Sequence, residues 1–217
     1  MQKKKCFTLA ELLVVISIIA ILASLLLPAL ATAKKMGKKT LCQGNMKQVE
    51  IGLFSYADDF MGWMPTPDGR PDNDNSYGYP WTRQLVRFGY LAGDASALNS
   101  IKNKAIGCPE KSVINFYSTF GLKAAYGNTR LPRISSIPNP SGTVYFGDSS
   151  DGINDSSQWY GICDGYPDVF KACLRHLNKM NVSFGDGSVS HLKKEDLKSH
   201  GINKYIPDGG GAVYPSP

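Results

Sequence analysis

Between Leu12 and Ala33 the chain runs for 22 residues without a charge, and 13 of these are Leu, Ile or Val. Wound as a helix rising about 1.5 Å per residue, such a run reaches roughly 33 Å, enough to cross a hydrocarbon core of about 30 Å. Lys3, Lys4 and Lys5 precede it, and Lys34, Lys35, Lys38 and Lys39 follow it. With lysines on both flanks, charge asymmetry does not set the orientation of the segment. The same lysines explain the net charge of +6, because residues 1–39 hold seven Lys and one Glu while the remainder holds 17 basic and 17 acidic residues. The basic balance therefore belongs to the borders of one segment, and a nucleic-acid-binding face is not supported.

Glu11 stands at the head of the apolar run. A carboxylate at the bilayer centre costs about 3 kcal/mol on insertion scales, whereas 13 aliphatic residues contribute roughly −4 to −8 kcal/mol, so insertion still wins. The charge is tolerated but not explained: it either lies near the headgroups or meets a cation within the membrane. A plain anchor needs only the length of the run. A secretory signal peptide would use Ala31-Thr32-Ala33 as its small-residue cleavage site, but the run exceeds the usual 7 to 15 apolar residues of such a signal.

The stretch Lys5-Cys6-Phe7-Thr8-Leu9-Ala10-Glu11-Leu12-Leu13-Val14-Val15 resembles the processing site of type IV pilins and type II secretion pseudopilins. The resemblance implies that a prepilin peptidase cuts between Cys6 and Phe7 and methylates the new amino group of Phe7. It also implies that Glu11, fifth in the mature chain, serves filament assembly. Cys6 stands where the family has Gly. The resemblance continues into Cys42-Gln43-Gly44-Asn45-Met46-Lys47-Gln48, which is similar to large pseudopilin families of planctomycete and related bacteria. His176, followed after nine residues by Asp186-Gly187, is similar to the C-terminal H-x9-DG motif of those families.

The expected fold is α+β and pilin-like: a leader over 1–6, a transmembrane helix over 7–33, an amphipathic continuation over 34–60, and an antiparallel β-rich head over 61–217. Cys42, Met46, Val49, Leu53 and Tyr56 recur at steps of four and three, one helical stripe that plain core packing explains. Pro28 and Gly37 predict a kink or local melting of that helix. Met61 to Pro80 reads as an exposed loop, and its Asp and Asn spacing misses the calcium-loop pattern because Tyr77 stands where the turn Gly belongs. Trp81 to Tyr90 predicts a short helix with Trp81, Leu85 and Phe88 on one side. Short apolar runs at 114–117, 142–146, 181–184 and 188–192 predict antiparallel strands. Gly147 and Gly185 stand where turns are expected, and Phe184 to Val189 reads as a hairpin.

His176 and Asp186 are expected to be structural, Asp186 accepting a bond from the His176 ring or from its own turn. An enzyme would instead set Ser183 or Cys173 beside His176 and Asp186, but no nucleophile-elbow or phosphate-loop signature accompanies them, and no catalytic residue is expected. Asp148, Asp151, Asp155, Asp164, Asp168 and Asp186 could hold calcium, as some pseudopilin heads do, or be ordinary surface acids. Cys42, Cys108, Cys163 and Cys173 form an even set in an exported head and predict two disulfides, preferably Cys42 with Cys108 and Cys163 with Cys173. A zinc site is disfavoured because no pair has the two-residue spacing of a zinc knuckle.

Two functions follow. The first is a structural subunit, pseudopilin or minor pilin, anchored once in the inner membrane of a bacterium with its head in the periplasm or on the cell surface. Its expected partners are prepilin peptidase, other pseudopilin subunits, the assembly platform and membrane lipid. The second is a secreted or membrane-anchored binding module whose Trp63, Trp81 and Trp159 line a ligand surface.

Overall fold

The computed structural model describes residues 8–65, 81–94, 104–110, 119–123, 133–150, 161–162, 171–203 and 205–206. Its first element is the helix α1 (Leu9–Asp59), 51 residues long and unbroken through Pro28 and Gly37. The local melting expected at those two positions does not occur. Proline removes one hydrogen bond and glycine one increment of propensity, and regular turns on both sides carry the helix across.

The chain divides into two compact units, Met1–Gly37 and Lys38–Pro217. Within the first, the large aliphatic side chains from Leu9 to Leu30 are all exposed, and the most apolar 18-residue window has a mean hydropathy of 2.9 with none of it buried. By length and composition this is a helix able to cross a membrane.

The second unit begins with the rest of α1, whose stripe of Cys42, Met46, Val49, Leu53 and Tyr56 is buried as the periodicity predicts. The helix ends where Met61 and Gly62 adopt left-handed backbone, φ 55° and 82°, and the Gly62 N–H donates back to the Ala57 carbonyl at 2.7 Å. A second helix, α2 (Trp81–Arg87), buries Trp81 and Leu85 but leaves Phe88, just beyond its end, exposed.

Eight strands follow among the described residues: β1 (Gly121–Lys123), β2 (Val144–Gly147), β3 (Ser149–Ser150), β4 (Gly161–Ile162), β5 (Lys171–Cys173), β6 (Lys179–Phe184), β7 (Val189–Lys193) and β8 (Tyr205–Ile206). They form a five-stranded sheet in the order β4-β1-β2-β6-β7 and a three-stranded sheet in the order β3-β5-β8. The pairings are antiparallel except β1 with β4 and β5 with β8, which run parallel. A short helix, α3 (Lys194–Leu197), continues from β7. The runs at 142–146, 181–184 and 188–192 fall on β2, β6 and β7; the run at 114–117 lies outside the described residues.

Strand β6 shows how the two cores share one sheet. Met180, Val182 and Phe184 join Leu192, Leu197 and Tyr205 in one apolar cluster. The alternate residues, Asn181 and Ser183, hydrogen-bond to Lys39 O and Glu50 of α1. Period-two alternation thus gives an apolar side and a polar side, both buried, the polar side donating its hydrogen bonds to the helix. Gly147 is not a turn residue as expected. A Cβ there would lie 2.8 Å from the backbone carbonyl of Asn181, so the glycine permits close packing of β2 against β6.

Candidate functional site

Two constellations carry chemistry, one in each unit. At the start of α1, Thr8 and Glu11 form a reciprocal cap. The Glu11 carboxylate accepts from Thr8 N at 2.9 Å and from Thr8 Oγ1 at 2.7 Å, while Glu11 N donates to Thr8 Oγ1 at 3.2 Å. This is the capping-box pattern, Ser/Thr-x-x-Glu, legible in the sequence at Thr8 to Glu11. It supplies a local role for Glu11 that the reading from hydropathy missed. Cys6 and Phe7 lie outside the described residues.

The second constellation is centred on His176. The β5-to-β6 connection ends in a tight turn in which Leu177 and Asn178 take φ 55° and 57°, and His176 and Lys179 exchange backbone bonds of 3.1 Å across it. That turn fixes the ring of His176 in the interior. Its Nε2 lies 3.2 Å from Cys108 Sγ and 3.5 Å from Asp148 Oδ2. Cys42 donates its thiol hydrogen to Asp148 Oδ1 at 3.5 Å, and Asn181 N donates to Asp148 Oδ2 at 3.0 Å. One ligand-type atom from each of Cys42, Cys108, Asp148 and His176 lies within 4.8 Å of the other three, and all four residues are buried. Arg175 stands behind them, Nη1 3.9 Å from Asp148 Oδ1 and Nη2 donating to Ser149 O at 2.8 Å.

Burial, together with the nearby Cys108 sulfur and the Asp148 carboxylate, pushes the Cys42 thiol well up. Burial also acts to raise Cys108, but hydrogen bonds to Cys42 and His176 and the positive charge of Arg175 outweigh it and bring this thiol down to about 4. Asp148 is raised to about 7 by burial and by Cys108. Burial acts to lower His176, and its bonding to Cys108 and the charge of Asp148 reverse this and raise it. The four groups thus share protons as a unit.

Several expectations are corrected by this geometry. Asp186 does not meet His176: it is exposed at the β6–β7 turn, where its Oδ1 accepts from Ser188 N at 2.9 Å and Ser188 Oγ at 2.7 Å, beside Gly187 at φ 87°. The expected hairpin turn is therefore present, but the partner of His176 is Asp148. Ser183 and Cys173 are not set beside His176 as nucleophiles, since Ser183 donates to Glu50 and the ring of His176 meets Cys108 and Asp148. Cys42 and Cys108 are brought together but not bridged, and they contact Asp148 and His176. Cys163 lies outside the described residues. The acidic group proposed for calcium is divided, Asp148 being wholly buried and Asp186 exposed; Asp151, Asp155, Asp164 and Asp168 lie outside the described residues. Trp81 is fully buried and Trp63 is half-exposed under the Arg133 guanidinium, 4.9 Å from its ring, so these two do not form one ligand surface; Trp159 lies outside the described residues.

A buried acid that the sequence reading missed is Glu50, one turn before Phe54 on α1 and 2% exposed. It accepts from Ser183 Oγ, while Lys47 lies 3.7 Å away and reaches the Gly187 carbonyl. The signal for it was present, since Glu50 adjoins Val49 at the edge of the apolar stripe. Burial pushes its carboxyl up to about 7, against the bonds from Ser183 and Lys47. A carboxyl raised in the folded state holds its proton more tightly there than when unfolded. Its contribution to stability is full below the unfolded value of 4.5 and is lost as pH rises through about 7. Glu50→Gln keeps an acceptor for Ser183 and removes the titration. The variant should gain about 1–3 kcal/mol on the wild type between pH 5 and pH 8, seen as a shallower fall of melting temperature with pH by near-ultraviolet circular dichroism of the full chain in detergent. Parallel curves for the two proteins would show that Glu50 stays ionised in the fold.

Residues 1–27 match the prokaryotic N-terminal methylation motif. This segment is type IV pilin-like. With the exposed apolar helix that begins within it, the motif fits a membrane-anchored bacterial protein processed by prepilin peptidase and assembled with pilin-type subunits. No curated protein and no solved structure matches the chain.

Proposed function

We propose that this chain is a pseudopilin or minor pilin, a non-enzymatic structural subunit of a type II secretion or type IV pilus-like filament. Prepilin peptidase removes residues 1–6 and methylates Phe7. The apolar part of α1 then holds the subunit in the inner membrane as a single pass, with the head in the periplasm or on the cell surface. Other pseudopilin subunits and the assembly platform take it from there. The observation that carries this reading is the methylation motif over residues 1–27 running directly into a helix whose aliphatic side chains from Leu9 to Leu30 all remain exposed. A surface of this kind is stable against lipid or against identical helices, and not against water.

The test is the mass of the mature chain after co-expression with a prepilin peptidase. The expected product begins at Phe7 and carries one added methyl group. Cys6→Gly should be cut at least as well as the wild type, since glycine best fits a groove that takes a small, extended residue. A product beginning at Lys34 would instead identify an ordinary signal peptide, and an uncut chain in both forms would remove the proposal's main support.

A further inference from the structure

We propose that Cys42, Cys108, Asp148 and His176 bind one divalent transition-metal cation in tetrahedral geometry, with zinc the ion their donors fit. The site lies wholly within the head unit and draws on four separate elements: α1, the turn after Ile106, the β2–β3 junction and the β5–β6 turn.

Three donor separations, two of them to different oxygens of Asp148, are close to the edges of a tetrahedron around one ion. With zinc–sulfur bonds of about 2.3 Å and zinc–nitrogen or zinc–oxygen bonds of about 2.0–2.1 Å, neighbouring donors stand roughly 3.3–3.8 Å apart. The observed separations are 3.2 Å for His176 Nε2 to Cys108 Sγ, and 3.5 Å both for His176 Nε2 to Asp148 Oδ2 and for Cys42 Sγ to Asp148 Oδ1. The four donor atoms lie within 4.8 Å of one another, so their side chains draw in by up to about 1 Å to meet a single ion.

The direction of the imidazole separates this arrangement from a catalytic relay. In a Cys-His-Asp relay the acid engages one ring nitrogen and the thiol the other. Here Cys108 and Asp148 both approach Nε2, while Nδ1 is buried and has no hydrogen-bond partner among the described residues. The donors converge on a point and do not form a line. Two sulfurs and an imidazole select zinc and its neighbours over calcium, which takes oxygen ligands.

Charge also closes. Two thiolates and one carboxylate bring three negative charges, the cation returns two, and Arg175 at 3.9 Å from Asp148 supplies the third. A neutral total is what a buried site requires. A Cys42 to Cys108 disulfide would use the two sulfurs alone and leave Asp148 and His176 facing a bridge with little to offer either. Binding would fasten α1 to both sheets at a point where the long helix enters the head, a cross-link that replaces the disulfide expected from the cysteine count.

The full chain, extracted from membranes in detergent without chelator, would be assayed for bound metal by plasma mass spectrometry and for its cysteine state by intact mass. The expected result is about one equivalent of zinc per chain with Cys42 and Cys108 unbridged. Exchange with cobalt should give a thiolate-to-cobalt charge-transfer band and the intense visible absorption of a tetrahedral centre. Cys108→Ser and His176→Ala should lose the metal, while Cys173→Ser, which alters a buried thiol outside the group, should keep it. Should the site variants fail to accumulate, the cobalt spectrum of the wild type decides alone: tetrahedral thiolate bands support the site, and their absence overturns it. A Cys42 to Cys108 disulfide, a wild type that takes up no metal when zinc is supplied, or metal retained in full by both site variants would each overturn the proposal.

Discussion

Glu11→Ala is expected to be inserted and processed like the wild type and then to fail to assemble. Removing a carboxylate from the head of an apolar helix makes insertion easier, since such a charge costs about 3 kcal/mol at the membrane centre. With the proposed cleavage before Phe7, the new amino group would be a cation close to that carboxylate in sequence, and staggered neighbouring helices would bring the amine of one subunit to the Glu11 of the next. In a medium of low dielectric the pair attracts strongly and withdraws two charges from lipid. Loss of one partner of a buried pair typically costs roughly 3–5 kcal/mol, more than most weak interfaces can lose. The cap made with Thr8 is a separate contribution, local to one helix. Glu11→Gln distinguishes the two, because it retains an acceptor for Thr8 but no charge. Cross-linking between subunits in membranes is the measurement. Both variants should lose cross-links if charge pairing drives assembly. If both assemble like the wild type, Glu11 is a helix cap at the membrane surface and nothing more.

Trp81→Ala should destabilise the head by about 3–5 kcal/mol, the usual range for emptying a large aromatic site in a core. The side chain is fully buried, its ring centroid lies 5.4 Å from that of Phe146, and its Nε1 donates to the Phe120 carbonyl at 3.2 Å. Truncation therefore removes the packing and one of the hydrogen bonds to a buried carbonyl, which keeps the Thr119 hydroxyl as a donor at 3.5 Å. Trp81→Phe should recover most of the packing and none of the hydrogen bond, falling between wild type and alanine. Thermal melts of the full chain in detergent, followed in the near ultraviolet, check the order. An alanine variant within about 1 kcal/mol of wild type would mean that α2 is not part of the cooperative core.

How much of this was legible in the sequence differs from one element to the next for physical reasons. A hydrophobic span depends on composition along a single helix, so Leu12 to Ala33 announced itself without any partner. Cys42, Met46, Val49, Leu53 and Tyr56 were equally readable, since a stripe at steps of four and three is a property of one helix. The Asp186-Gly187 turn followed from local backbone chemistry, and it formed as expected. The assignment of His176 went astray because it was paired by nearness in sequence with Asp186. Its true neighbour, Asp148, was one of several acids with nothing local to distinguish it. Gly147 was mistaken for a turn residue because the sequence does not show that the Asn181 backbone would press against it from β6.

Local periodicity, length and turn chemistry by themselves therefore determined the membrane helix, its buried continuation and the β-rich head, since each depends on interactions among residues close in the chain. Only the tertiary structure decided the partners of Cys42, Cys108, Asp148 and His176, and of Glu50 with Ser183. Those contacts join residues far apart in sequence, and their energies arise from desolvation: a thiol, a carboxyl or an imidazole acquires its character only when the sheet closes over it and water is gone.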